Sequence, residues 1–110
     1  YLIYKLIMNF LKSVKVGQAY TKYTIPLSNL FLIRWHPKAV TENHGHDGKQ
    51  CDFIVLKGVL HECRHLKGPS TRYRWQALHP LKMNSINDNE GTHQIFNFDD
   101  KEKWSIHRYY

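Results

Sequence analysis

His44-Gly45-His46-Asp47-Gly48-Lys49-Gln50-Cys51-Asp52-Phe53-Ile54-Val55-Leu56-Lys57-Gly58 is the stretch whose reading decides the fold. Side chains alternate across a strand, so Cys51, Phe53 and Val55 share one face and predict a strand whose apolar side looks inward. Asp47-Gly48 predicts the tight turn before it, because both central residues of a type I′ turn need positive φ. Lys57-Gly58 reads as a second hairpin turn; it would set position 51 opposite position 64 and aim Cys63 away from Cys51, so no disulfide is expected between them. On an extended segment, His44 and His46 project from one face and can grip one ion.

Outward from this stretch, short apolar runs recur at Leu30 to Ile33, Val59 to Leu60, Ile95 to Phe96 and Trp104 to Tyr110, with turn residues between them. The prolines, Pro26, Pro37, Pro69 and Pro80, fall outside the runs, where a missing backbone donor does no harm. An all-β fold follows, in a single domain over residues 1–110, the sheet portion running over 20–110. Toward the start, Leu2, Ile3, Leu6, Ile7, Phe10, Leu11 and Val14 recur at three- and four-residue spacing and predict an amphipathic helix over residues 2–16, ended by Gly17 and packed outside the sheet. Lys5, Asn9, Lys12 and Ser13 break this stretch, so it reads as neither a signal peptide nor a membrane span. The first residue, Tyr1, and a last residue inside a strand-like run point to a chain truncated at both ends.

The net charge of +7 comes from Lys and Arg scattered along the whole chain. A nucleic-acid surface would concentrate them, so neither nucleic acid nor membrane is an expected partner; a small anionic substrate suits the positive field better. Two cysteines, Cys51 and Cys63, are too few for a disulfide-built secreted domain, and a reducing, cytoplasmic setting is expected. Of eight histidines, His36, His61, His65 and His79 read as surface or structural residues, and Trp35, Trp75 and Trp104 as core or cavity-wall residues.

His44-Gly45-His46, then Cys51, then Gly58 resembles the first cupin motif, with Cys where most cupins carry Glu. Ile86-Asn87-Asp88-Asn89-Glu90-Gly91-Thr92-His93 followed by Asn97, and Ser105-Ile106-His107-Arg108-Tyr109, are similar to two further motifs of cysteine dioxygenase. The resemblance runs from about Tyr20 to Tyr109, with Tyr20-Thr21-Lys22 aligned on that family's Tyr-Thr-Arg; Tyr23-Thr24 competes for the same place. The chain departs from the family at Lys22, where an arginine would take the substrate carboxylate, at Lys38, where the first motif begins with Gly, and after Tyr110, where family members continue.

The resemblance implies a small jelly-roll-like cupin barrel with one Fe(II) per chain at its mouth, held by His44, His46 and His93. It implies a thiol dioxygenase of cysteine metabolism that converts L-cysteine and O2 to cysteine sulfinic acid, acting as a monomer on its small-molecule thiol. Tyr20 and Lys22 would bind substrate, Cys51 and Tyr109 would be joined by a thioether cross-link, and His107 and Ser105 would hold the phenol in place. Lysine is a point charge without arginine's planar fork. Arg34 or Arg74 is therefore an alternative clamp, and with either one the substrate becomes a thiol acid such as 3-mercaptopropionate. The other readings are a zinc or manganese cupin and a cupin that binds metal or ligand without turnover.

Overall fold

The computed structural model describes residues 12–16 and 19–110, and side chains from residue 19 onward. Among the described residues ten strands form two antiparallel sheets: β1 (Lys12–Val16), β2 (Tyr20–Thr24), β3 (Leu30–Trp35), β4 (Ala39–Val40), β5 (Cys51–Lys57), β6 (Leu60–Leu66), β7 (Arg72–Leu78), β8 (Met83–Ile86), β9 (Gly91–Asn97) and β10 (Lys103–Tyr109). One sheet has the order β1-β2-β3-β10-β5-β8, the other β4-β9-β6-β7. The core lies between them. Ile33, Trp35, Cys51, Phe53 and Val55 of the larger sheet meet Leu60, Leu78 and Ile95 of the smaller one. The alternation expected of Cys51, Phe53 and Val55 is present, with all three buried.

The all-β expectation holds, and three local readings are corrected. Residues 12–16, assigned to the helix, form β1 and pair with β2 in register Val16↔Thr21. The β-branched Val14 and Val16 suit a strand, and the edge of β2 supplies the hydrogen-bond partners that a strand needs. The rest of the expected helix, residues 2–11, lies outside the described residues. Lys57-Gly58 does not close a hairpin, because β5 and β6 belong to different sheets: β10 and β8 occupy both edges of β5. Gly58, at φ 81°, turns the chain from one sheet to the other. Cys63 therefore does not lie across from β5, and both cysteines are free and buried. Trp75 is 59% exposed on the outer face of the smaller sheet, whereas Trp35 is core and Trp104 stacks on Tyr23.

The turn at Asp47-Gly48 has the expected geometry, with φ of 54° and 78° and Lys49 N–H donating to the His46 carbonyl at 3.0 Å. Among the described residues no helix is long and apolar enough to cross a membrane.

Candidate metal centre and its cavity

His44 reaches the site from the segment between β4 and β5. That segment follows the edge of β9: Ala39 pairs with Asn97, Thr41 N–H donates to the Ile95 carbonyl at 3.0 Å, and His44 and His93 exchange both backbone hydrogen bonds at 3.0 and 3.1 Å. This antiparallel bridge sets the two imidazoles side by side, ring centres 4.6 Å apart. His46 lies just before the turn, its ring centre 5.3 Å from that of His44 and 5.0 Å from that of His93. His44 and His46 thus share a face through a bridge and a turn, where the sequence reading had placed them on one strand.

Asp88, in the β8–β9 turn, fixes that loop. Its two oxygens accept from the backbone N–H groups of His46 at 2.9 Å and Gly48 at 2.7 Å. Those donors hold the Asp88 carboxyl below the usual range. Gly45 must be small here, since a Cβ would stand 2.8 Å from Asp88 Oδ1. The first and second histidine motifs are therefore joined through Asp88.

The three histidines can hold a metal. One ligand atom from each lies within 4.8 Å of the others. Metal–imidazole bonds of about 2.0–2.1 Å bring such atoms onto one ion with small side-chain rotations. The donor set fits as well: Nδ1 of His44 meets the Glu42 carbonyl at 2.9 Å and Nδ1 of His93 meets Glu62 Oε2 at 2.8 Å, which leaves Nε2 of each ring for an ion. Nδ1 of His46 is buried without a hydrogen-bond partner among the described residues. Burial, together with the nearby His93 and His44, lowers the His46 pKa to about 4 despite Asp88, so this ring is neutral and its nitrogen lone pair available.

A cavity of about 530 Å3 opens onto His44 and His46 and is lined by Tyr20, Lys22, Phe31 and Tyr109, among others. The Lys22 ammonium sits 4.2 Å from the ring centre of Phe31 and 4.6 Å from that of Tyr109, a cation held over two aromatic faces. Arg34 pairs instead with Glu102 at 3.3 Å and Arg74 with Glu90 at 3.8 Å, and neither lines the cavity. Of the three cations considered for a carboxylate, Lys22 alone faces this space.

Tyr109 stands directly opposite Cys51 in the β10–β5 ladder, which brings phenol and thiol into neighbouring positions. Burial, then the Asp52 charge, pushes the Cys51 thiol up to about 12; burial and the neighbouring sulfur push the Tyr109 phenol up too. Both groups keep their protons at neutral pH. Behind them Trp35 Nε1–H donates to Ser105 Oγ at 2.7 Å, Ser105 Oγ lies 2.7 Å from His107 Nε2, and His107 Nδ1 lies 3.7 Å from Cys51 Sγ. His107 therefore faces the sulfur of Cys51, the residue opposite Tyr109. Burial drives the His107 pKa well below its ordinary value, so the ring is neutral.

Two contributors lay beyond the sequence reading. Glu62 is fully buried on β6 against His93, and Asp88 ties the loop. The alternation Leu60, Glu62, Arg64 was a signal, since a carboxylate and a guanidinium sharing a face with a core leucine have to be paired. His36, His61, His65 and His79 stay outside the cluster: His36 bonds Thr21, His61 rests on Phe98, His65 meets Gln94, and His79 is exposed.

No protein-family model matches the chain, and no curated protein matches it. Solved structures do. The Drosophila melanogaster CENP-C cupin domain superimposes at TM-score 0.74 with 19% identity, over 93% of this chain and 77% of that one. The capsular polysaccharide assembling protein CapF from Staphylococcus aureus matches at TM-score 0.70 and 18% identity, over 90% of this chain and 28% of that one. Oxalate oxidase matches at TM-score 0.64 and 14% identity, over 83% of this chain and 41% of that one. Likeness at this identity defines the fold and nothing finer: the chain has the cupin fold, with a three-histidine cluster that can bind a metal. Neighbours that include an oxidase and a domain also solved bound to CAL1 leave the activity to the residues of the site.

Proposed function

We propose that this protein is an iron-dependent thiol dioxygenase that adds both atoms of O2 to the sulfur of a small thiol bearing a carboxylate, L-cysteine first, giving the sulfinic acid (RSH + O2 → RSO2H). The observation that carries the reading is the combination at the cavity: three imidazoles with no carboxylate in the cluster, beside a cysteine and a tyrosine paired across two strands, and with a lysine over the tyrosine ring.

His44, His46 and His93 would hold the metal, whose chemistry when bound is activation of O2 and a lowered pKa for a coordinating thiol. Three neutral ligands leave the divalent charge uncompensated, so an anionic sulfur is favoured at the open positions. Cys51 does not compete for that place, because its thiol stays protonated and lies against His107 Nδ1. Lys22 pairs the substrate carboxylate, with its ammonium already set over Phe31 and Tyr109. Tyr109 Oη keeps its proton and offers it as a hydrogen bond at the reacting end of the cavity. Phe31 and Tyr109, in edge contact at 5.3 Å, wall that end against water. The protein acts on its small thiol as a monomer.

The test is oxygen uptake by anaerobically Fe(II)-loaded protein offered L-cysteine and 3-mercaptopropionate in parallel, the sulfinate being identified by mass. Uptake coupled to sulfinate supports the reading, and the faster thiol names the substrate. A metal-loaded protein inert to both refutes it in favour of a second reading, a cupin that binds without turnover, to which the likeness to a cupin domain solved bound to CAL1 lends support.

A further inference from the structure

The environments of the three Nδ1 atoms differ. In His44 the atom meets a main-chain carbonyl, in His46 it meets nothing, and in His93 it meets a carboxylate with no solvent exposure. We infer that Glu62 is the positioning residue of this site, fixing His93 with its proton on Nδ1 and its Nε2 lone pair toward the metal; the inference rests on the metal-binding part of the function proposed above.

The local structure divides the two oxygens of Glu62 between two tasks. Oε1 accepts from Arg64 Nε at 2.7 Å and from Gln76 Nε2 at 2.5 Å, which satisfies it from β6 and β7 together. Oε2 is left to His93 Nδ1 alone, at 2.8 Å. The carboxylate cannot rotate without surrendering a bond at each end. Arg64, itself 3% exposed, continues to Glu90 in the turn just before β9, so the chain of contacts runs from His93 back to the start of the strand that carries it. Three donors thus converge on one buried side chain, and an acceptor at Nδ1 selects the tautomer that a ligand through Nε2 requires. A merely structural ion pair with Arg64 would not need the second oxygen on the imidazole.

The test compares wild type, Glu62→Gln, Glu62→Ala and Gln76→Ala by Co(II) titration followed in the visible spectrum, with thermal unfolding of each metal-free protein alongside. Glu62 variants should bind Co(II) about 10–100-fold more weakly. Gln76→Ala, which keeps the His93 contact, should stay within about twofold of wild type, whatever it loses in stability. Nitrogen-15 spectra of the Zn(II)-loaded wild type, which need no variant to fold, should place the His93 proton on Nδ1. Folded Glu62 variants with wild-type affinity, or a His93 proton on Nε2, would overturn the role of Glu62 alone, even if thiol oxidation is observed. A wild type that takes up no metal would overturn the metal site and this inference with it.

Discussion

Gly91→Ala is the sharpest test of how the fold builds its site. Gly91 opens β9 two residues before His93, with φ at 155°, and a Cβ there would stand 2.2 Å from the His65 carbonyl oxygen and 3.2 Å from Leu66 Cα. Both are backbone, so no side chain can swing aside; β6 and β9 must separate at their Gly91↔Leu66 end. A strained φ costs about 1–3 kcal/mol, and forcing atoms into filled space adds about 1–3 kcal/mol. We therefore expect a loss on the order of 2–6 kcal/mol, a fall in Tm of about 10–35 °C at the sensitivity of domains this size. Gly48→Ala is the control: its φ is also positive, 78°, but nothing lies within 4 Å of the added carbon, so it should lose only about 1 kcal/mol. Urea unfolding of both variants measures the difference. Equal losses would mean that β6 and β9 do not approach as described, and the placement of Glu62 against His93 would fall with it.

Three further outcomes are expected. Glu62 carries a folded pKa of about 2 against an ordinary value of 4.5, so its contribution is fully present above pH 4.5 and is lost as pH falls toward 2. That contribution is on the order of 3 kcal/mol, and the stability gap between wild type and Glu62→Gln should narrow over that range; a gap independent of pH would contradict it. Lys22→Met should raise KM for carboxylate-bearing thiols about 10–100-fold while leaving cysteamine, which has no carboxylate, unchanged, with Lys22→Arg restoring binding; equal effects on both thiols would remove Lys22 as the anion handle. Protein exposed to iron, cysteine and air should show a fraction two hydrogens lighter by intact mass, the Cys51–Tyr109 thioether, absent from Cys51→Ala; a light species that persists in the variant would place the modification elsewhere.

What the sequence disclosed, and what it withheld, divides along the range of the interactions. Cys51, Phe53 and Val55 on one face, the Asp47-Gly48 turn, and His44 next to His46 are decided within a few residues, where pleat and turn chemistry act alone. The hairpin at Lys57-Gly58 failed because it depended on distant partners, the capture of β5 by β10 and β8; the helix reading of residues 12–16 failed nearer by, where a three- and four-residue apolar spacing lost to pairing with the adjacent β2. β7 escaped notice because Arg72, Tyr73, Arg74 and Trp75 are all exposed, so no buried face wrote an apolar alternation into the sequence.

Site residues follow the same rule at longer range, and this bears on which parts of the site can vary. His44 and His93 sit far apart in the chain yet share two backbone hydrogen bonds, so their pairing depends on β4 and β9 meeting in register and is indifferent to the side chains between them. His46 has no such ladder. Its position is set by Asp88 through two main-chain N–H groups and by the room Gly45 leaves for that carboxylate. Replacing Gly45 with a larger residue should displace His46 while sparing the His44–His93 bridge, leaving two of the three ligands in place. A cupin barrel thus supplies two of the ligands from its sheet geometry, and the third, on which a three-histidine centre depends, from a single glycine and a single aspartate.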